Sequence, residues 1–237
     1  MSAGYQVIIA ASHAHGTLVV VRARGELEAL TLGLEPRLLP EERAVMEALA
    51  PRRRESWLLG RAALLEALDR VGAPREPLLS LDRGGPRLPA GFAGSISHKP
   101  PFGAAIASVS DGSSIGIDLE TVDRARSAIA PLVLTEREQG EVAQLGEADR
   151  WPVILARFSV KEAIYKALDP FVGRYVAFHE AEIERLPGAA HGAVEAPCFT
   201  PVSSQLRLAK GEGPFVVETT LAVGELILAT ARIRRDA

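Results

Sequence analysis

Two stretches of helical periodicity constrain this chain more than any other feature. Apolar residues recur at helical spacing over 52–70, and Gly72 with Pro74 ends that run. The pattern returns over 152–168, where Pro152 suits a first helical turn and Asp169-Pro170 predicts the stop. Strand-like runs follow each stretch, so the chain reads as two α+β halves of similar size, 1–120 and 121–237. Residues 60–68 and 160–168 coincide at Ala63/Ala163, Ala67/Ala167 and Leu68/Leu168. Duplication explains this echo, and so does the ordinary Ala/Leu content of two helices.

Around these helices the sequence predicts strands at 5–10 and 17–21, and a helix starting at Pro40-Glu41-Glu42 that Pro51 separates from the next. A Gly/Pro-rich loop covers 82–91. Runs 103–109 and 114–120 flank Asp111-Gly112-Ser113 and are expected to pair as a hairpin. Thr135 with Glu138 forms a capping-box pattern, opening a helix expected to stop near Gly146. Further strands are expected at 175–178, 215–221 and 225–233.

Of 237 residues 47% are hydrophobic, which is ample for a buried core. The formal net charge of −3 makes no case for a nucleic-acid or membrane partner, so any anion must be met by local arginines and lysines. One cysteine, Cys198, excludes an internal disulfide and fits a reducing compartment. No apolar run approaches the roughly 18–20 residues of a bilayer span. The first 21 residues lack the basic region and long apolar stretch of a signal peptide, so a cytoplasmic location is expected.

Three clusters call for a ligand. Asp118 and Glu120 alternate with Ile115, Ile117 and Leu119 on a strand, so the two acids share one face and the apolar residues face the expected core. Two like charges side by side suit a hard divalent cation such as Mg²⁺; a solvated strand face would also accommodate them. Arg53, Arg54 and Arg61 fall within the apolar stripe that carries Trp57, Leu58, Leu64, Leu65 and Leu68. Arginines there are costly unless they snorkel, pair with buried acids or meet phosphates. Glu162 and Lys166 lie one turn apart on a helix face away from Val160, Ala163 and Ile164, where a surface ion pair is the plain alternative. In the expected hairpin Glu120 lies opposite residues near Gly103, which sets the acids beside Ser97, His98 and Lys99.

Gly94-Ser95-Ile96-Ser97-His98, Gly116-Ile117-Asp118-Leu119-Glu120 and Phe158-Ser159-Val160-Lys161-Glu162-Ala163-Ile164-Tyr165-Lys166 occur in that order. Together they resemble the larger class of 4′-phosphopantetheinyl transferases, which activate carrier proteins of polyketide, nonribosomal-peptide and siderophore biosynthesis. Arg53-Arg54 with Gly60-Arg61-Ala62-Ala63 is similar to the coenzyme-A-binding motif of the enterobactin-synthetase-activating branch, and Thr135-Glu136 matches a short acidic motif of the family.

The resemblance implies an α+β pseudo-dimer of two similar halves with the active site in the cleft between them. It implies transfer of the 4′-phosphopantetheine arm of coenzyme A to a serine of an apo acyl- or peptidyl-carrier protein, with release of 3′,5′-bisphosphoadenosine. Carried over, Asp118, Glu120 and Glu162 would hold Mg²⁺, while Arg53, Arg54, Arg61, Ser97 and His98 would hold coenzyme A. Lys166 would sit on the reacting phosphates, Glu162 would be the general base, and Glu136 a weaker candidate. The resemblance also suggests a monomer. The chain departs from it at Gly85, where many relatives carry lysine, at Lys99, where serine is frequent, and at Phe158, where tryptophan is common. Another Mg²⁺-dependent nucleotide or diphosphate enzyme, or a non-catalytic carrier-protein-binding module, would use the same residues.

Overall fold

The computed structural model describes residues 4–123, 125–186 and 197–236. The chain divides at Asp111/Gly112 into two compact units, so the strand bearing Asp118 and Glu120 belongs to the second unit and not, as a boundary at 120/121 would have it, to the first.

In the first unit, strands β1 (Tyr5–His13) and β2 (Gly16–Ala23) form a hairpin, followed by helices α1 (Leu27–Leu34), α2 (Pro40–Ala48) and α3 (Pro51–Arg70) and by strands β3 (Phe92–Lys99) and β4 (Phe102–Val109). The antiparallel sheet has the order β1-β2-β4-β3. Pro40 and Pro51 stand in the first turns of α2 and α3, where a missing N–H costs nothing. The sheet carries α3 across one face, with Leu58, Leu59, Ala62, Ala63 and Leu65 buried against Val19, Val21, Ala105 and Ala107. Gly103 permits that approach, since a Cβ there would lie 2.3 Å from the Leu59 carbonyl oxygen.

In the second unit, β5 (Ser114–Thr121) is followed by α4 (Ala130–Val133), α5 (Glu136–Ala143) and α6 (Glu147–Val172). Strands β6 (Ala181–Arg185), β7 (Thr200–Leu206), β8 (Phe215–Val223) and β9 (Leu226–Arg235) complete a sheet of order β5-β9-β8-β7-β6. Helix α6 lies on this sheet, and its residues Val160, Ala163, Ile164, Ala167 and Leu168 enter the core.

The expected hairpin between 103–109 and 114–120 does not form. β4 pairs with β2 and β3, whereas β5 pairs with β9, so Asp111-Gly112-Ser113 joins the two units instead of turning one sheet. The register argument that set Glu120 beside Ser97, His98 and Lys99 falls with it. No strand forms at 175–178; a 3₁₀ turn at Phe178–Glu180 leads into β6 instead. Helix α6 runs through Pro170, which forfeits only one hydrogen bond in the last turn, and stops at left-handed Gly173 (φ 60°).

Buried polar contacts tie the helices down. Glu138, the N3 residue of α5, is fully buried. Its carboxylate accepts Thr135 N–H at 2.8 Å, Ile183 N–H at 2.8 Å and Lys161 Nζ at 2.6 Å. Lys161, 2% exposed, also donates to the Val133 carbonyl at 2.8 Å. Burial pushes the Lys161 ammonium down, and the hydrogen bond to Glu138 opposes that shift. Glu42 plays the same part in the first unit: fully buried at N3 of α2, it accepts Leu39 N–H at 2.9 Å and Arg75 Nη2 at 3.0 Å.

Removing one partner strands a buried charge. Glu138→Leu is expected to cost about 3–5 kcal/mol in chemical denaturation, and the double variant Glu138→Leu/Lys161→Met to recover most of it. Equal losses in the single and double variants would refute the pairing.

Candidate active site

Strand β5 presents Gly116, Asp118 and Glu120 toward α6, the face that carries the core residues Ala229 and Ala231 of β9. Ile115, Ile117 and Leu119 are buried on the opposite face. The acids therefore share the helix-covered face, while the isoleucines and leucine are buried on the other face, as their alternation predicts. Gly116 makes this possible: a Cβ there would stand 2.0 Å from the Ala163 carbonyl oxygen, so only glycine lets α6 come so close.

The close approach brings Lys166 Nζ to 2.8 Å from Asp118 Oδ1 and 2.9 Å from the Ile117 carbonyl. Asp118 is only 4% exposed, so this ion pair is well shielded. Glu162 lies one turn before Lys166 on α6. Burial raises its pKa first; Lys166 pulls it down, and the charges of Asp118 and Glu120 push it up again. Asp118, Glu120, Glu162 and Lys166 thus form one electrostatically coupled group. Among the described residues no three acidic, histidine or cysteine side chains are already closed around one point. The donor set is nonetheless all hard oxygen with one surplus carboxylate charge after another, the chemistry that suits Mg²⁺, which keeps several waters and shares substrate oxygens instead of needing a complete protein cage.

Glu136 is exposed at the first residue of α5. It lines a separate cavity of about 620 Å³ with Thr135, Arg137, His179 and Glu182, and none of Asp118, Glu120 and Glu162 lines that space. The buried acid of the capping segment is Glu138, whose role is structural.

The first unit holds a cavity of about 530 Å³ whose walls include Arg52, Arg53, Trp57, Arg61, Asp82 and His98. Arg61 is 3% exposed, stacks 4.7 Å over the Trp57 ring and reaches only to 3.8 Å from Glu42 Oε1. Its Nε and Nη1 have no hydrogen-bond partner among the described residues. Burial lowers its pKa to about 10, with Glu42 opposing and Arg75 adding to the shift, so it stays cationic at neutral pH. A buried guanidinium with unmet donors beside a cavity is an anion site in wait. Arg53 is exposed on the cavity wall.

The helical wheel set three arginines in one stripe, and the structure separates them. Arg54 donates to the carbonyls of Met46 (3.0 Å), Glu47 (3.0 Å) and Leu49 (3.1 Å), closing the C-terminus of α2. The legible signal was Pro51, which ends one helix and leaves carbonyls in need of donors. Ser97 is also separated from His98: it is buried, and strand alternation turns it away from the cavity that His98 lines. Trp57 packs against the core, as its place in the apolar stripe predicts, and its i, i+4 spacing to Arg61 also allows the stacked pair. Arg52 and Asp82 carried no such sign.

Two family models match the chain: a 4′-phosphopantetheinyl transferase N-terminal domain over residues 40–108, and the 4′-phosphopantetheinyl transferase superfamily over 114–213. The chain is 33% identical over 198 residues to the 4′-phosphopantetheinyl transferase Svp of Streptomyces mobaraensis, covering 82% of this chain and 77% of that one. It is 32% identical over 163 residues to the 4′-phosphopantetheinyl transferase PptT of Mycobacterium tuberculosis, covering 68% and 70%. A holo-(acyl-carrier-protein) synthase from Bacillus anthracis, solved in complex with CoA (3′,5′-ADP), aligns at 18% identity and a TM-score of 0.38, over 52% of this chain and 96% of that one.

The two adjacent arginines should behave differently. Arg54→Ala is expected to lower stability by about 1–3 kcal/mol in a thermal or urea melt, because it uncaps α2. Arg53→Ala, on an exposed wall, should leave the melt unchanged. A silent Arg54→Ala would remove its structural role.

Proposed function

The chain belongs to the 4′-phosphopantetheinyl transferase superfamily, and on that premise we propose that it moves the 4′-phosphopantetheine arm of coenzyme A onto a serine of an apo carrier protein. It is a transferase with coenzyme A as co-substrate and 3′,5′-bisphosphoadenosine as the second product. The observation that carries the reading is the coupled group of Asp118, Glu120, Glu162 and Lys166 where α6 meets β5.

In the reaction the serine Oγ bonds to the β-phosphorus, the phosphoanhydride bond breaks, and its bridging oxygen leaves on the bisphosphoadenosine. Charge neutralisation and positioning dominate such a transfer. Asp118, Glu120 and Glu162 would hold Mg²⁺, which when bound supplies Lewis-acid neutralisation of the pyrophosphate oxygens. Lys166 is assigned to the reacting phosphates, exchanging Asp118 for a phosphate oxygen. Glu162 is assigned the serine proton, directly or through a water; a carboxylate whose proton affinity is raised by burial is better suited to that task than an ordinary one. Glu136 remains a weaker candidate for positioning water. Arg53, Arg61 and His98 are the proposed grip on coenzyme A, supported by their common cavity. Arg54 and Ser97 are not retained, because Arg54 is engaged by α2 and Ser97 is turned away.

Placement in the enterobactin-synthetase-activating branch is proposed on the likeness of Arg53-Arg54 with Gly60-Arg61-Ala62-Ala63 to the motif of that branch. The protein is proposed to act as a monomer in the cytoplasm. Among the described residues no helix is long and apolar enough to cross a membrane.

Incubation with coenzyme A, Mg²⁺ and several apo carrier proteins should add roughly 340 Da to one carrier serine, the mass of the transferred arm. Unchanged carrier masses, from a folded protein that binds coenzyme A, would leave only a binding module or a different diphosphate enzyme. Glu120→Ala and Glu162→Ala should each reduce the rate by at least about 10²-fold with little change in melting. Full rates in both would remove the metal assignment. Chelation by EDTA should stop transfer and added Mg²⁺ restore it; transfer that persists in EDTA would argue against a required divalent ion.

A further inference from the structure

The cavity of the first unit sets one acid among its cations. Its charged wall residues are Arg52, Arg53 and Arg61 on α3, and Asp82 on the loop between α3 and β3. That loop is built tightly. Leu81 N–H donates to the Gly85 carbonyl at 2.7 Å, Gly84 N–H to the Leu81 carbonyl at 2.8 Å, and Arg87 N–H to the Leu79 carbonyl at 2.7 Å. Ser80 and Pro86 form a β-bridge below the turn, and Gly84 takes the left-handed conformation (φ +90°) that the turn requires. Asp82 is held at the tip of this turn, against the cavity.

Asp82 is exposed, and among the described residues it makes no hydrogen bond or ion pair. Glu42 contrasts with it: that acid approaches the cavity's Arg61 and is saturated by backbone and arginine donors. An ionised carboxylate only accepts hydrogen bonds, and so does a phosphate, so an acid in the wall of a phosphate cavity weakens binding unless the ligand offers it a donor. Coenzyme A carries such donors beside its phosphates: the exocyclic amine of adenine and the free 2′-hydroxyl of the ribose.

We infer that Asp82 is a specificity-determining residue, whose carboxylate accepts a hydrogen bond from a donor on the nucleoside end of coenzyme A. The inference rests on the transferase reading above. A hydrogen bond to the nucleoside end touches no reacting atom, so Asp82 is assigned to ground-state binding and not to the chemical step.

The test compares the unaltered protein with Asp82→Ala and Asp82→Asn, using coenzyme A, an analogue whose purine lacks the exocyclic amine, and the 2′-deoxyribose analogue. Calorimetric binding of coenzyme A runs alongside. Asp82→Ala should raise KM for coenzyme A about 5- to 30-fold at constant kcat, and Asp82→Asn, which keeps an acceptor oxygen, should raise it less. The unaltered protein should lose a similar factor with one of the two analogues, which identifies the donor, and Asp82→Ala should no longer distinguish that analogue from coenzyme A. An unchanged or lower KM in Asp82→Ala overturns the inference, as does discrimination that survives the substitution or is absent from the unaltered protein. Failure of the unaltered protein to bind coenzyme A would instead sink the transferase reading; normal binding that Asp82→Ala leaves untouched sinks only the role of Asp82.

Discussion

The carboxylate of Glu138 is sealed from water, and three donors from different parts of the second unit converge on it: Thr135 N–H, Ile183 N–H and Lys161 Nζ. Helices α5 and α6 and strand β6 meet at this point. Each donor would be expensive to bury alone, and together they leave the acid satisfied, so the elements can adopt this arrangement and few others. Lys161 immediately precedes Glu162 and lies on the adjoining face of α6. The rotation of α6 that buries the ammonium therefore also turns Glu162 and Lys166 toward β5.

The first unit repeats this scheme with different residues. Glu42 also stands at N3 of a short helix, is also fully buried, accepts the N–H of Leu39 ahead of its helix as Glu138 accepts that of Thr135, and also approaches a cation on the long helix, Arg61. Arg61 and Lys161 occupy equivalent places in the weak echo between 60–68 and 160–168. The difference between them lies in their hydrogen bonds. Lys161 is hydrogen-bonded to Glu138 and Val133, whereas Arg61 keeps donors unmet beside a cavity. One scaffold thus supplies a satisfied structural pin in one half and a buried cation with unmet donors beside a cavity in the other.

Much of this was legible in the chain. Prolines and capping residues located α2, α3 and α5, and period-two alternation put Asp118 and Glu120 on one face. Spacing on α6 put Glu162 and Lys166 together. The failures have physical causes. The pairing of β5 was misassigned because Asp111-Gly112-Ser113 suits a hairpin as well as a link between units, and local sequence cannot tell which distant strand, here β9, will compete for the edge. Burial of β5 on its acid-bearing face as well was not legible, because that face is marked by Gly116, Ala229 and Ala231, small residues that carry little hydrophobic pattern. Arg54 was misread because a cap on the preceding helix is a contact between elements, invisible on a wheel of α3 alone. Asp82 escaped notice because only the folded loop brings it to a cavity wall.

Gly116 against Ala163 and Gly103 against Leu59 are contacts of backbone with backbone. Where side chains set the spacing between a helix and a sheet, every change of core volume shifts whatever the helix carries. Here the main chain sets it, as a fixed stop. The surrounding core can then exchange leucine for isoleucine or valine for alanine over evolutionary time, while the separation of Asp118 from Lys166 stays as it was. A lineage built this way can diverge widely in its interior and still keep its chemistry, provided two glycines are left alone.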